Sequence, residues 1–187
     1  MAKKPVKDVF GLWQIEGETN FSDNFEFPCI KGTNKIPDEL ILFSKTHKIS
    51  ENTNNKAIHF YEFDEKFVNQ LDQKEKLDFL IKNLFSKFQS VILPDFSVYY
   101  DFPLALQIFQ IYKSRAIGSY LEKNGINVIP NVRWGDKRSY TFAFEGIKKH
   151  SIIAIGVLGG YRDSEAKENF ENGFYEMLKI LKKLQNY

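Results

Sequence analysis

From Ala57 onward the chain alternates short apolar runs with longer stretches that repeat at helical spacing. Residues 57–63 (AIHFYEF) predict a strand, and Leu77, Leu80, Ile81, Leu84, Phe85 and Phe88 behind them form one helical stripe. Asp72 and Glu75, in front of that stripe, have the spacing of a capping box. Residues 90–96 (SVILPDF) are the next apolar run. Asp101, as N-cap, and Pro103 then open a long helical segment that closes at Asn124-Gly125, where glycine suits the first position past a helix. Residues 126–132 (INVIPNV) predict a third strand and residues 151–158 (SIIAIGVL) a buried fourth. After Gly159-Gly160, the positions of Phe170, Phe174, Met177, Leu178, Leu181 and Leu184 predict the last helix. The segment 104–121 is apolar on nearly all sides, as in a helix covered on both faces. Between 136 and 150, Tyr140, Phe142 and Phe144 alternate as in a strand, while Tyr140, Phe144 and Ile147 also fit a helical face; both readings stay open.

Helical crossovers between short apolar runs are what parallel strands require. The pattern therefore predicts an α/β fold of consecutive βαβ units, a parallel sheet or partial (β/α) barrel. Residues 1–56 hold no sustained period and are broken by Gly11, Gly17, Pro28, Gly32, Pro37 and the polar tract 50–56. They predict an irregular N-terminal arm on a core of 57–187, one domain overall, with 40–43 able to pair as a strand.

Composition narrows the function. A chain of 187 residues with 43% hydrophobic and 27% charged residues can bury a sizeable core without disulfides or metal clips. The 16% aromatic content supplies much of that burial. A net charge of +2 gives no global field for nucleic acid or an anionic membrane, so nucleic acid is weakly supported as a partner. The Lys137-Arg138 and Lys148-Lys149 pairs make at most a modest patch, and Lys179, Lys182 and Lys183 predict a solvated helix face. Cys29, the single cysteine, excludes an internal disulfide framework and a Cys-rich zinc site. Lys3, Lys4 and Lys7 precede no apolar leader segment, and no run approaches the ~20 apolar residues that cross a bilayer. The expectation is a cytoplasmic protein without a membrane partner.

In parallel α/β folds ligands gather beyond the carboxyl ends of the strands. That rule selects Glu62 and Asp64, then Asp95 and Ser97, then Arg133 and Trp134, then Gly159, Gly160 and Arg162. Asp95 and Arg133 are the candidates for catalysis. Gly159, Gly160, Arg162 and Trp134 are the candidates for holding a cofactor or phosphate, and Glu62 with Asp95 for Mg²⁺. Each also has a structural reading: Asp95 as a turn residue, Trp134 as a packing lid, and the glycine pair as a turn without a phosphate-loop fingerprint. Arg115 and Gln107 lie inside the long apolar helix, where the arginine is expected to pair with Asp95 or Asp101. His59 fits a sheet position, and His47 and His150 lie in polar surroundings without the spacing of a transition-metal site. Cys29 has no histidine beside it, and Ser97 has no G-x-S-x-G setting. No cofactor is named by these patterns.

The stretches PDELILFS from Pro37, AIHFYEFDEKF from Ala57, the long run from Pro94 to Trp134 and FAFEGIKKHSIIAIGVLGG up to Gly160 together resemble the domain-of-unknown-function family numbered 4417. The PDFS element with its downstream helix and the IP-x-x-x-W strand carry most of the specificity. Members of that family sit in phages, plasmids and integrated elements of bacteria. The resemblance implies an accessory protein of a mobile element that binds a host or phage protein, such as a replication or defence component. The alternative is a small enzyme or nucleotide- or phosphate-binding domain with its site at the strand ends. Family members run on from the last helix into another strand, whereas this chain ends at Tyr187, which leaves barrel closure open.

Overall fold

The computed structural model describes residues 8, 10–49, 52–157 and 160–181. Four parallel strands, β1 (Glu39–Leu42), β2 (Lys56–His59), β3 (Ser90–Ile92) and β4 (Val128–Ile129), lie side by side in chain order. The helices are α1 (Val68–Leu71), α2 (Lys74–Asn83), α3 (Leu104–Lys123) and α4 (Ser164–Leu181). The parallel α/β fold agrees with the alternation of apolar runs and helical stripes.

Ile58, Val91 and Val128 are in register across the sheet and point into a core built with Leu77, Leu80 and Ile81 of α2 and Ile117 and Leu121 of α3. The alternate positions Ala57, Ile92 and Ile129 face the other way, against Tyr61, Ile152 and Ala154. A second core gathers Ile111 of α3, Trp134, Phe142, Phe144 and the Met177 and Leu181 face of α4. Helix α3 serves both cores, which is why its sequence shows no single apolar stripe. Its opening turns depart from the expected cover on both faces, with Leu104, Leu106 and Phe109 37%, 38% and 49% exposed.

Several local expectations are corrected. Among its described residues the 151–158 run forms one bridge, Asn131 to Ala154, and residues 151–155 are only half-buried. Pro130 explains the short pairing: it lacks an N–H, so only its carbonyl, which accepts from Ala154 N, joins the ladder. The Asp72–Glu75 capping box does not form, because Asp72 pairs with Lys113 of α3 at 2.9 Å and Gln73 takes the N-cap position. Asp101 does not cap α3; Pro103 occupies that place without a side-chain bond. The helix does end at Asn124-Gly125, where Gly125 takes φ 79°. Residues 137–150 are neither strand nor α-helix but a 3₁₀ turn, Lys137–Thr141, followed by further turns.

The N-terminal arm, irregular apart from 3₁₀ turns and β1, is tied to α3 by acids. Glu122 accepts the backbone N–H groups of Lys31 and Gly32, and Glu18 accepts from the Ser119 hydroxyl and pairs with Lys123 at 3.4 Å. Burial pushes the Glu18 carboxyl up, but the bonds from Ser119 and from the Asn20 and Thr19 amides, with the Lys123 charge, outweigh it and hold the group at about 2. A carboxyl depressed in the folded state stabilises fully above its ordinary 4.5, and that stability is lost as pH falls towards 2. Acid titration of the full chain is therefore expected to loosen the arm between these values. Glu18→Gln should flatten that part of the stability–pH curve, and an unchanged curve would contradict the assignment.

Candidate functional site

Beyond the ends of β2, β3 and β4 the chain places Tyr61, Asp95, Asn131 and Arg133 in one continuous network. The Tyr61 hydroxyl donates to Asn131 Oδ1 at 3.2 Å, and Asn131 Nδ2 donates to Asp95 Oδ1 at 2.8 Å. The other oxygen, Asp95 Oδ2, lies 3.6 Å from Arg133 Nη1, which donates to the Gly156 carbonyl at 2.9 Å. Gly156 permits this closeness, since a Cβ there would stand 2.8 Å from both Asp95 Oδ2 and the Tyr61 ring. Burial raises the Asp95 carboxyl above the usual carboxylate range, while the Arg133 charge and the Asn131 bond draw it back and Asp64 adds repulsion. Burial also raises the Tyr61 phenol, so it stays a neutral donor. The network fixes the Arg133 side chain with both Asp95 oxygens engaged.

Arg133 forms one wall of a cleft enclosing about 440 Å³ of non-protein space, counted to its open mouth. Tyr99, Tyr100, Trp134, Gly160, Arg162 and Phe170 line the rest together with backbone of Gly135 and Gly156. The Arg162 guanidinium stands over both tyrosine rings, 5.6 Å from Tyr99 and 5.7 Å from Tyr100, and its side chain is 49% exposed. Asp163 pairs with Arg162 at 3.1 Å and accepts the Ala166 N–H in the first turn of α4. A carboxylate already fills that helix N-terminus, so an anion in the cleft would be met by side chains.

Arg133, Trp134, Gly160 and Arg162 thus share the cleft that the strand-end rule selects. Gly159 lies outside the described residues, as do Lys182, Lys183 and Leu184. Gly160 packs tightly, since a Cβ would meet the Phe170 ring at 2.8 Å. Trp134 is 5% exposed, stacked on Phe170 at 5.4 Å, with its indole N–H donating to the Asn169 carbonyl at 3.1 Å. Asp95 sits behind Arg133. Glu62 reaches the opposite edge of the sheet, accepting from Ser44 N just past β1, whereas Asp95 reaches toward β4. Among the described residues no group of three or more His, Cys, Asp or Glu side chains is placed to hold a metal ion. Asp64 accepts from the Ser97 amide and hydroxyl, and His59 Nδ1 accepts the Tyr61 N–H.

Tyr61, Asn131, Tyr99 and Tyr100 are the site residues that sequence reasoning misses. Tyr61 and Asn131 lie two residues past the ends of β2 and β4, inside the apolar runs 57–63 and 126–132 whose pattern predicts strand up to and beyond them. Arg115 corrects a further expectation. Among the described residues it has no carboxylate partner; its guanidinium donates to the carbonyls of Asn131, Ala143 and Glu145.

The family described as Domain of unknown function (DUF4417) matches residues 19–185. Among curated proteins, the Gene 1 protein of Mycobacterium phage L5 is 29% identical over 158 residues, which span 84% of this chain and 67% of that protein. The Gene 1 protein of Mycobacterium phage D29 is 27% identical over 161 residues, 84% of this chain and 57% of that protein. No solved structure matches the chain. No helix among the described residues is long and apolar enough to cross a membrane.

Proposed function

The chain belongs to the phage-associated DUF4417 family, and from that premise we propose that it acts by binding, taking a phosphorylated, ring-bearing ligand of nucleotide size in the strand-end cleft. The observation that carries this reading is Arg162, half-exposed at the mouth over two tyrosine rings and facing the wall formed by Arg133 and Trp134. Guanidinium groups recognise phosphate through paired N–H donors, and tyrosine rings offer apolar faces to a planar group. Binding is favoured over covalent chemistry because the nearby acids and hydroxyl are committed: Asp95 to Asn131 and Arg133, Asp64 and Ser97 to each other.

A protein-partner role draws on a different surface, the exposed Leu104, Leu106 and Phe109 at the start of α3. A defined host protein retained by the wild type and lost by Phe109→Asp would favour it.

Calorimetric titration separates the two. Adenosine monophosphate is expected to bind the full chain, adenosine and inorganic phosphate each more weakly. Arg162→Ala should weaken the nucleotide by ~10–100-fold, the worth of a charged hydrogen bond, with little change in melting temperature. Equal affinity in wild type and variant, or no heat with any of the three probes, would overturn the reading.

A further inference from the structure

Arg115 is the largest fully buried side chain, 1% exposed, and its hydrogen-bond partners are all neutral carbonyls. A guanidinium carries five N–H donors. Three go to Glu145 O at 3.2 Å, Asn131 O at 3.1 Å and Ala143 O at 3.2 Å; the other two have no protein acceptor among the described residues. Burial alone lowers its pKa to about 10, so the group keeps its charge at neutral pH. An isolated buried charge is costly unless a counter-charge accompanies it.

Beside Arg115 lies a small recess, lined by Gln110, Ser114, Asn131 and Arg133 with Phe96 and Val98. It holds about 220 Å³ of non-protein space counted to its open mouth, with room inside for one water-sized species. The local charges do not balance: Asp95 answers Arg133 at 3.6 Å, and Arg115 is left with one positive charge. We propose that this recess is a binding site for one monatomic anion, chloride in the cell, held by the two remaining Arg115 donors. Gln110 lines it with its amide fixed to Ser97 O at 3.2 Å, and Ser114 with its hydroxyl fixed to Pro94 O at 3.2 Å. Sulfate and phosphate are too large for it. The recess shares Val98 and Arg133 with the cleft, so its occupancy is linked to the order of the cleft wall.

The test uses the full chain. At constant ionic strength, replacing gluconate by chloride or bromide should raise the melting temperature by about 4 °C, saturating with concentration, while sulfate should give no such saturable rise. Arg115→Met should abolish the halide response. If that variant does not fold, bromide-soaked wild-type crystals decide alone: an anomalous peak within contact distance of Arg115 Nη1 or Nη2 is expected. A recess holding only water, or a wild-type melting temperature indifferent to halide, would overturn the proposal.

Discussion

Replacing Arg115 by methionine is expected to cost about 3–5 kcal/mol of folding stability, since three backbone carbonyls lose their donor at ~1–3 kcal/mol each, against the relief of no longer burying a cation. Two effects compete. Methionine fills much of the same volume and removes the burden of a buried cation, which favours the variant. Against that, the Asn131, Ala143 and Glu145 carbonyls lose their donor at once, and each orphaned buried carbonyl costs ~1–3 kcal/mol. The orphaned carbonyls dominate because they sit on two separate segments, the end of β4 and the turns at 143–145, which the guanidinium bridges. Denaturant unfolding measures the loss. A change under 1 kcal/mol would show that water or backbone shifts replace the arginine.

Gly173→Ala is the second large effect, although it adds only a methyl group to a helix. A Cβ at Gly173 would lie 2.1 Å from Trp134 Nε1, 2.3 Å from Cδ1 and 2.5 Å from Cε2. The indole has nowhere to retreat, since it is stacked on Phe170 and donates to the Asn169 carbonyl. Overpacking of this kind typically costs ~1–3 kcal/mol, and the rigid ring places this site at the upper end. The better helix propensity of alanine returns only ~1 kcal/mol of that. Combining the substitution with Trp134→Leu should recover stability relative to the sum of the single changes, because the clash is then gone. Strict additivity of the two losses would mean that the helix and the indole do not press on each other. A displaced Trp134 also reshapes the cleft, so Gly173→Ala should weaken nucleotide binding.

What the sequence discloses follows the kind of interaction involved. Strands β2, β3 and β4 and the long α3 were legible because their signal is burial, written in runs such as AIHF and INVIP. The strand-end cluster was legible in the same way: Arg133, Trp134, Gly160 and Arg162 follow apolar runs and meet in one cleft. The misses share a different cause. Asp72 and Asp101 carried local capping signals, but Asp72 is captured by Lys113 from another helix, and the chain at Pro103 leaves Asp101 out of reach of the first turn. The expected partner of Arg115 was a carboxylate, because side chains are what a sequence displays. Its actual partners are backbone carbonyls, which every residue carries and no sequence marks. The SIIAIGVL run has the composition of a core strand, yet among its described residues it pairs only at Ala154, beside Pro130, which has no N–H to give.

We propose the cleft at the strand ends as the binding site of a phosphorylated, ring-bearing ligand. Titrating the isotope-labelled full chain with adenosine monophosphate and following backbone amide resonances tests it most directly. Saturable shifts are expected at Tyr99, Tyr100, Arg133, Gly135, Gly160 and Arg162, with the α2 surface around Phe79 silent. Saturation with those cleft amides unmoved, or no saturable shift anywhere, would contradict it.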